Sequence, residues 1–167
     1  MAKCRFCGNH GLFLSVNKYG LCEKCASFVN LDISNRCRIL TDSINIIQST
    51  KNADTFLGRI DDAKSSLSKL IEYENMGIVI TDKKPSESLS IINNGLDDEI
   101  KDCCNRIFID TQTKAAELKT AKGKISAWEK YRTSLKKLND SFPGNPSISH
   151  YSEFADKFIK LVNNASE

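Results

Sequence analysis

The spacing of apolar residues predicts a long amphipathic helix directly after the N-terminal cysteines. From Cys25 to Lys51 there is no glycine or proline, and apolar side chains recur every three or four residues, so a helix of about 28 residues is expected. The members of this stripe are Val29, Ile33, Cys37, Leu40, Ile44 and Ile47. Such a stripe is typical of one buried helix face.

A second helix is predicted after a short link. Asn52 or Asp54 can cap it, it should run to about Asn75, and Gly77 can stop it. Its buried face is predicted to consist of Phe56, Ile60, Ala63, Leu67 and Leu70. Because about two residues link the first and second helices, the two helices are expected to be antiparallel neighbours.

The same periodicity continues through the rest of the chain. A short extended segment is predicted at 78–81, and Pro85-Ser86 with Glu87 opens a third helix. Gly123 is the predicted joint to a fourth helix, and Phe142-Pro143-Gly144 precedes a short last one. The apolar positions are Leu89, Ile92, Leu96, Ile100, Cys103 or Cys104, Ile107, Leu118, Ile125, Trp128, Tyr131, Leu135, Leu138, Tyr151, Phe154, Phe158 and Leu161.

Two Cys-x-x-Cys pairs, separated by fourteen residues, occupy the N-terminal segment CRFCGNHGLFLSVNKYGLCEKC. Zinc takes four tetrahedral ligands, and each Cys-x-x-Cys turn supplies two thiolates, so the spacing predicts one structural Zn²⁺. The predicted ligands are Cys4, Cys7, Cys22 and Cys25. His10 is predicted to stay outside the ligand set. The odd total of seven cysteines and the lack of an apolar signal segment favour a cytoplasmic protein without a disulfide framework or membrane anchor.

The residues between the cysteine pairs predict the form of the finger. Leu12, Leu14 and Val16 alternate with other side chains, which indicates a strand, and residues 17–20 indicate a turn, so strand is expected only near residues 12–22. A knuckle, a small β-hairpin and a second knuckle on the first turn of a helix make a treble-clef-like finger.

These patterns together predict a mainly α protein in three parts. The finger occupies residues 1–30, an elongated helical bundle or coiled coil occupies 31–140, and a short C-terminal helix occupies 141–167. Because helices of this length seldom bury both faces within a small monomer, a homodimer through the long helices is one expectation.

Charge is segregated along the chain, although the total is only +3. Residues 1–25 carry four basic and one acidic side chain, residues 52–110 carry seven and twelve, and residues 111–140 carry eight and three. The basic segments could neutralise nucleic-acid phosphates, with Arg5, Lys18, Lys24, Lys122, Lys124 and Lys130 as the candidate residues. Alternatively, they balance the zinc thiolates and the acidic helix.

The order of motifs resembles a group of bacterial proteins with an N-terminal zinc finger and a helical region, some of which carry a downstream HIRAN domain, a fold associated with DNA ends. The matching stretches, which cover about residues 1–140, are Arg38-Ile-Leu-Thr-Asp-Ser43, Asp54-Thr-Phe-Leu-Gly-Arg59, Tyr73-Glu-Asn-Met-Gly-Ile78, Pro85-Ser86 and 122–126. The resemblance implies a zinc finger fused to helices and no established activity. No HIRAN domain is expected in this chain.

The residues favour a binding protein over an enzyme. There are two histidines and no glycine-rich phosphate loop, and the acidic group around Glu99 and Lys101 is predicted to be a solvated helix face. The first hypothesis is a protein-interaction module, an adaptor or inhibitor of the kind that a phage or mobile element directs at a host complex. The alternative is a nucleic-acid-binding protein that uses the basic finger and the basic helix 111–140, with Trp128 and Tyr131 available to stack on bases.

Overall fold

The computed structural model describes residues 1–78, 80 and 84–164, and most of this part of the chain is helical. The elements, in chain order, are β1 (Ala2–Lys3), β2 (His10–Gly11), α1 (Glu23–Ser49), α2 (Ala53–Asn75), α3 (Pro85–Glu117), α4 (Ala121–Ser141) and α5 (Pro146–Asn164). The prediction of a mainly α fold with an N-terminal cysteine module is therefore confirmed. Two of the four residues of the extended segment predicted at 78–81, residues 79 and 81, lie outside the described residues.

The position predicted for the β-hairpin is wrong. β1 and β2 pair antiparallel, with Ala2 opposite Gly11 and Lys3 opposite His10, so the hairpin encloses the first cysteine pair. Residues 12–22, where strand was expected, form turns and irregular backbone until α1 begins.

Local hydrogen bonds explain why residues 12–22 are not a strand. The Asn17 side-chain oxygen accepts N–H groups from Tyr19 and Leu21 at 3.0 and 3.1 Å. The Asn17 N–H in turn donates to the Leu21 carbonyl, and Gly20 has a φ of +74°. An asparagine side chain that satisfies the following backbone N–H groups stabilises a turn at the expense of a strand ladder.

Both ends of α2 follow the signals in the sequence. Asn52 is the cap, since its side-chain oxygen accepts the Thr55 N–H at 2.9 Å. At the other end Gly77 has a φ of +80°, and the Ile78 N–H donates to the Tyr73 carbonyl at 3.1 Å. This six-to-one bond is the Schellman arrangement, which requires a left-handed residue that glycine adopts without strain.

The break between α3 and α4 lies a few residues earlier than predicted. α3 ends at Glu117, and the Thr120 hydroxyl accepts the Gly123 N–H at 3.2 Å as the cap of α4. Gly123, the predicted joint, therefore lies inside the first turn of α4. A threonine cap needs an N–H two or three residues further on, and this requirement sets the start of the helix.

The chain divides into two compact units, each discontinuous in sequence. The first unit contains residues 1–42 and 62–91, and the second contains residues 43–61 and 92–167. We call them the finger unit and the aromatic unit.

The finger unit has a small core that includes the cysteine sulfurs. Cys4, Leu21, Cys22, Cys25, Val29, Tyr73 and Ile78 form this buried cluster. Tyr73 is 1% exposed, and its hydroxyl donates to the Asp32 carboxylate at 2.7 Å, which joins α1 to α2 within the unit.

The core of the aromatic unit is built around Phe108. The rings within about 6 Å of it belong to Trp128, Tyr131, Tyr151, Phe154 and Phe158. Trp128 stacks on Phe158 with centroids 4.4 Å apart and an interplanar angle of 4°. Leu161, predicted on the buried face of α5, is instead exposed, and Ile148 and Ala155 are the fully buried positions of that helix.

Candidate metal centre

Two short backbone segments bring four cysteines together. Cys4 directly follows β1 and Cys7 ends the first knuckle, whereas Cys22 precedes α1 and Cys25 lies in its first turn. Their four Sγ atoms all lie within 4.8 Å of one another. The structure therefore brings together all four of the predicted ligands, close enough to hold one metal ion.

The sulfur separations fit tetrahedral coordination. A metal–sulfur distance of about 2.3 Å implies sulfur–sulfur separations of about 3.8 Å in a tetrahedron. The Cys7 and Cys22 sulfurs are 4.0 Å apart. A site with four protein ligands is closed and has no open position for a substrate, which is the form of a structural centre.

Backbone N–H groups stabilise the charged form of the Cys4 sulfur. The Cys22 N–H donates to Cys4 Sγ at 3.3 Å. The N–H groups of Cys7 and Cys22 lower the pKa of the Cys4 thiol from its ordinary value to about 6. Gly8 supports this geometry with a φ of +74° and donates its N–H to the Cys4 carbonyl at 3.0 Å. N–H groups directed at a sulfur stabilise its thiolate form.

Cys25 behaves in the opposite way. Burial, followed by the neighbouring sulfurs, raises the pKa of its thiol to about 12. Several thiolates this close repel one another, so all four ionise together only when a cation compensates their charge. The donor set thus has the chemistry of a metal site.

The remaining cysteines and His10 do not belong to this cluster. His10 is exposed on β2, and the metal-ligating group found in the described residues consists of the four cysteines alone. Burial raises the pKa of Cys103 to about 11 and that of Cys104 to about 12. Both belong to the core of the aromatic unit, and burial also raises the pKa of Cys37. Cys103 and Cys104 are therefore small residues of that core, whereas Cys37 is half-buried on α1.

The candidate nucleic-acid residues are divided between the two units. Arg5, Lys18 and Lys24 belong to the finger unit, whereas Lys122, Lys124 and Lys130 belong to α4 in the aromatic unit. The Arg5 side chain covers Gly20, where a Cβ atom would lie 2.5 Å from Arg5 Cδ. The Lys18 ammonium lies 5.0 Å from the Tyr19 ring centroid.

The two aromatic residues proposed to stack on bases are buried. Trp128 is 2% exposed and Tyr131 is 1% exposed, and both pack in the core of the aromatic unit. They have no free ring face to offer a base. The interpretation of this stripe as core is therefore the one that the structure supports.

The structure also places on the surface several apolar side chains that the sequence did not predict to be exposed. In residues 1–31 the exposed large hydrophobic side chains are Met1, Phe6, Leu12, Phe13, Val16, Phe28 and Leu31. The signal for two of them was present, since Phe28 and Leu31 lie beside the predicted stripe of α1 and not in it. Apolar residues outside a helix's buried stripe are the ones that the fold has no need to cover.

Among the residues that the structure describes, none of the helices is both long and apolar enough to cross a membrane. No protein-family model, no curated protein sequence and no solved structure matches this chain.

Proposed function

We propose that this protein is a non-enzymatic module that holds one structural zinc ion and binds another protein through its finger unit. Thiolate ligands select zinc over magnesium and calcium, which prefer oxygen. A closed tetrathiolate site stabilises a small fold and leaves no position for catalysis. Zinc content measured alongside iron, which the same ligands can hold, tests the identity of the metal.

The observation that carries the protein-binding role is the exposure of the finger's apolar side chains. Phe13 is 100% exposed, Leu12 is 79% exposed and Leu31 is 63% exposed. Elsewhere in the described chain, only Ile109, Leu118 and Leu161 are exposed large hydrophobics. A single exposed leucine is ordinary, but a concentration of apolar side chains in one small unit is typical of an interaction surface.

In the aromatic unit, the aromatic and basic groups do not form one surface, and this disfavours nucleic acid there. The buried Trp128 and Tyr131 cannot stack on bases, so the basic segment 111–140, which the structure divides between α3 and α4, is left with cations alone. Part of that charge is also engaged, since Lys137 contacts Asp54 at 2.7 Å and Lys114 contacts Asp110 at 2.6 Å. Cations of this kind support association in general without selecting a nucleic acid.

Nucleic-acid binding stays as the second candidate because of one feature of the aromatic unit. An open cavity of about 600 Å³ is lined by Lys51, Lys114 and Lys130, with Asp110 between them. Asp110 contacts Lys51 at 3.5 Å in addition to Lys114. A phosphate group there would have to compete with this carboxylate, so we expect weak binding that salt abolishes.

Affinity capture with matched variants tests the proposal. The full chain, purified with its metal, is presented to a nuclease-treated lysate of the native host and washed at about 0.5 M salt, which screens exposed charge pairs. We expect a defined set of proteins to remain bound. The double variant Leu12→Ser/Phe13→Ser should lose them, whereas Leu161→Ser, an equally polar change at an exposed leucine of α5, should retain them.

A different set of results would identify nucleic acid as the target. If nuclease treatment removes all bound material, and if replacing Lys122, Lys124 and Lys130 by alanine abolishes capture while the finger variant does not, nucleic acid is the target. The slope of the logarithm of the affinity against the logarithm of the salt concentration would then fall in magnitude by about one unit per lost phosphate contact.

A further inference from the structure

The outward side of the first turns of α1 forms an apolar surface together with the first knuckle. Phe28 is 57% exposed, Leu31 is 63% exposed, and Phe6 is 40% exposed. Phe28 and Leu31 are three residues apart on α1 and so lie on one helix face. The Phe6 and Phe28 rings have centroids 6.0 Å apart. We call these three residues the Phe28 surface.

The finger unit does not need the Phe28 surface for its own core. The buried side of the same helix segment is provided by Val29, which is 1% exposed, and by Ala26 and Ile33, which pack against the cysteine cluster. The start of α1 is therefore apolar on two sides, and the described residues of the unit cover only one of them. An aromatic pair held in contact while exposed to water is suited to being covered by another molecule.

Positive charge borders the Phe28 surface. Arg5 directly precedes Phe6, and Lys24 lies one helical turn before Phe28. Both side chains are exposed, and neither forms an ion pair within residues 1–78, 80 and 84–164. Neither charge is therefore neutralised by a carboxylate of the described residues.

We propose that the Phe28 surface binds an acidic amphipathic helix of a partner protein, an inference that rests on the proposed protein-binding function. An amphipathic helix presents apolar side chains three and four residues apart, which matches the apolar side of α1, and its flanking carboxylates match Arg5 and Lys24. A second copy of this chain would bring the same two cations to the contact, which like-charge repulsion disfavours. Leu31, at the far edge of the surface, offers no ring on which a nucleobase could stack.

Selection of peptides on the intact protein tests the occupant. A displayed library of helical peptides with randomised surface positions is selected on the zinc-loaded full chain. We expect the enriched peptides to carry Leu, Phe or Trp at helical spacing, flanked by Asp and Glu. A synthetic peptide of the enriched sequence should bind Phe28→Ser/Leu31→Ser about tenfold more weakly or worse. Leu161→Ser is the matched control, since Leu161 is 62% exposed against 63% for Leu31.

A charge exchange separates recognition from general damage to the finger. Lys24→Glu should weaken binding of the acidic peptide about tenfold. A second peptide, in which the Glu that faces residue 24 is changed to Lys, should bind the variant with the lost affinity restored and should show no such gain on wild type. The zinc content and far-ultraviolet circular dichroism of each variant show that the fold is intact. A purely structural role of Lys24 could not produce this rescue.

Each other result overturns the inference in a distinguishable way. Peptides that bind the Phe28→Ser/Leu31→Ser variant as well as they bind wild type place the interface elsewhere and leave the protein-binding function standing. If the enriched peptides carry no acidic residues, or if the charge exchange does not restore binding, the partner is not acidic. If no peptide is enriched and a single-stranded oligonucleotide binds through Phe28, both the inference and the proposed function fail.

Discussion

The two units of this protein treat aromatic side chains in opposite ways. The aromatic unit buries Trp128 and Tyr131 around Phe108, whereas the finger unit leaves Phe13 fully exposed and Phe28 more than half exposed. The source of stability explains the difference. A helical unit without a metal site is stabilised by the apolar surface that it buries, so its rings go inside. The proposed metal ion would supply folding free energy to the finger unit, so that unit needs fewer of its rings in the core.

The comparison also explains where function is expected. In the aromatic unit, Arg106 donates to the carbonyls of Thr50 and Ile47 at 3.0 and 2.7 Å and thus satisfies the end of α1, so even its charged groups serve the fold. In the finger unit the Lys24 cation forms no ion pair within the described residues and lies one helical turn before the exposed Phe28. Groups that the fold does not use are the ones available to a partner.

Removal of one metal ligand should have the largest effect and should be confined to one unit. Cys22→Ser is expected to release the metal and to unfold the finger, since structural zinc contributes on the order of 10 kcal/mol to such modules. The aromatic unit should keep its helix signal and its tryptophan fluorescence, because Trp128 is its only reporter of that kind. Elemental analysis and amide hydrogen exchange measure the two parts separately.

The matched control for this prediction is Cys37→Ser, which changes a half-buried cysteine of α1 that lies outside the metal cluster. It should leave the metal content unchanged. Freshly purified wild-type protein without bound metal, or a finger that stays protected from exchange after Cys22→Ser, would contradict the idea that the metal stabilises this unit.

A pair of aromatic truncations tests the contrast directly. Trp128→Ala removes a buried, stacked ring and should lower the free energy of unfolding of the aromatic unit by about 3–5 kcal/mol. Phe13→Ala removes a ring that is 100% exposed and should change stability by no more than about 0.5 kcal/mol. Urea denaturation followed by circular dichroism measures both. If the two changes cost the same, Phe13 has a structural role and the contrast fails.

Tyr73 sharpens the comparison within the finger unit. Burial, and then the hydrogen bond to Asp32, raises the pKa of Tyr73 to about 12. A raised pKa in the folded state contributes stability that is fully present below the unfolded value of about 10 and is lost as pH rises towards the folded value. Wild type should therefore lose its advantage over Tyr73→Phe between about pH 10 and 12.

At neutral pH, Tyr73→Phe should cost about 1–2 kcal/mol, because a hydrogen bond to a charged group is lost. Stability of both proteins measured from pH 7 upwards gives the difference curve, in which the other tyrosines cancel. A difference that stays constant to pH 12 would mean that folding does not raise the pKa of Tyr73.

The smallest expected effect concerns one buried hydroxyl in each unit. Ser66 in the finger unit and Ser43 in the aromatic unit are buried, and neither hydroxyl has a hydrogen-bond partner in the described part of the chain. Replacing either by alanine removes a polar group that is desolvated without compensation, so each change should be neutral or should stabilise by up to about 1 kcal/mol. A clear loss of stability at one site would indicate a hydroxyl bonded to ordered water there.

Much of the fold and the whole ligand set were predictable because their signals are local. The buried stripe of α2, from Phe56 to Leu70, was predicted correctly, and Asn52 is one of the two residues that were predicted as its cap. The hairpin was not, because the alternation at Leu12 and Val16 is typical of a strand only when a partner strand and a core lie beside it. The nucleic-acid candidates were predicted as two groups, one in the finger and one at 111–140, and the structure places these groups in the finger unit and in α4.

The sequence by itself determined where the helices run and which sulfurs meet, because helical periodicity and Cys-x-x-Cys spacing act over a few residues. Only the tertiary structure decided how completely each apolar side chain is covered. Trp128 and Phe28 are both aromatic residues on amphipathic helices, yet one is 2% exposed and the other 57%. The physical reason is that burial depends on what packs against a residue, and that neighbour lies far away along the chain.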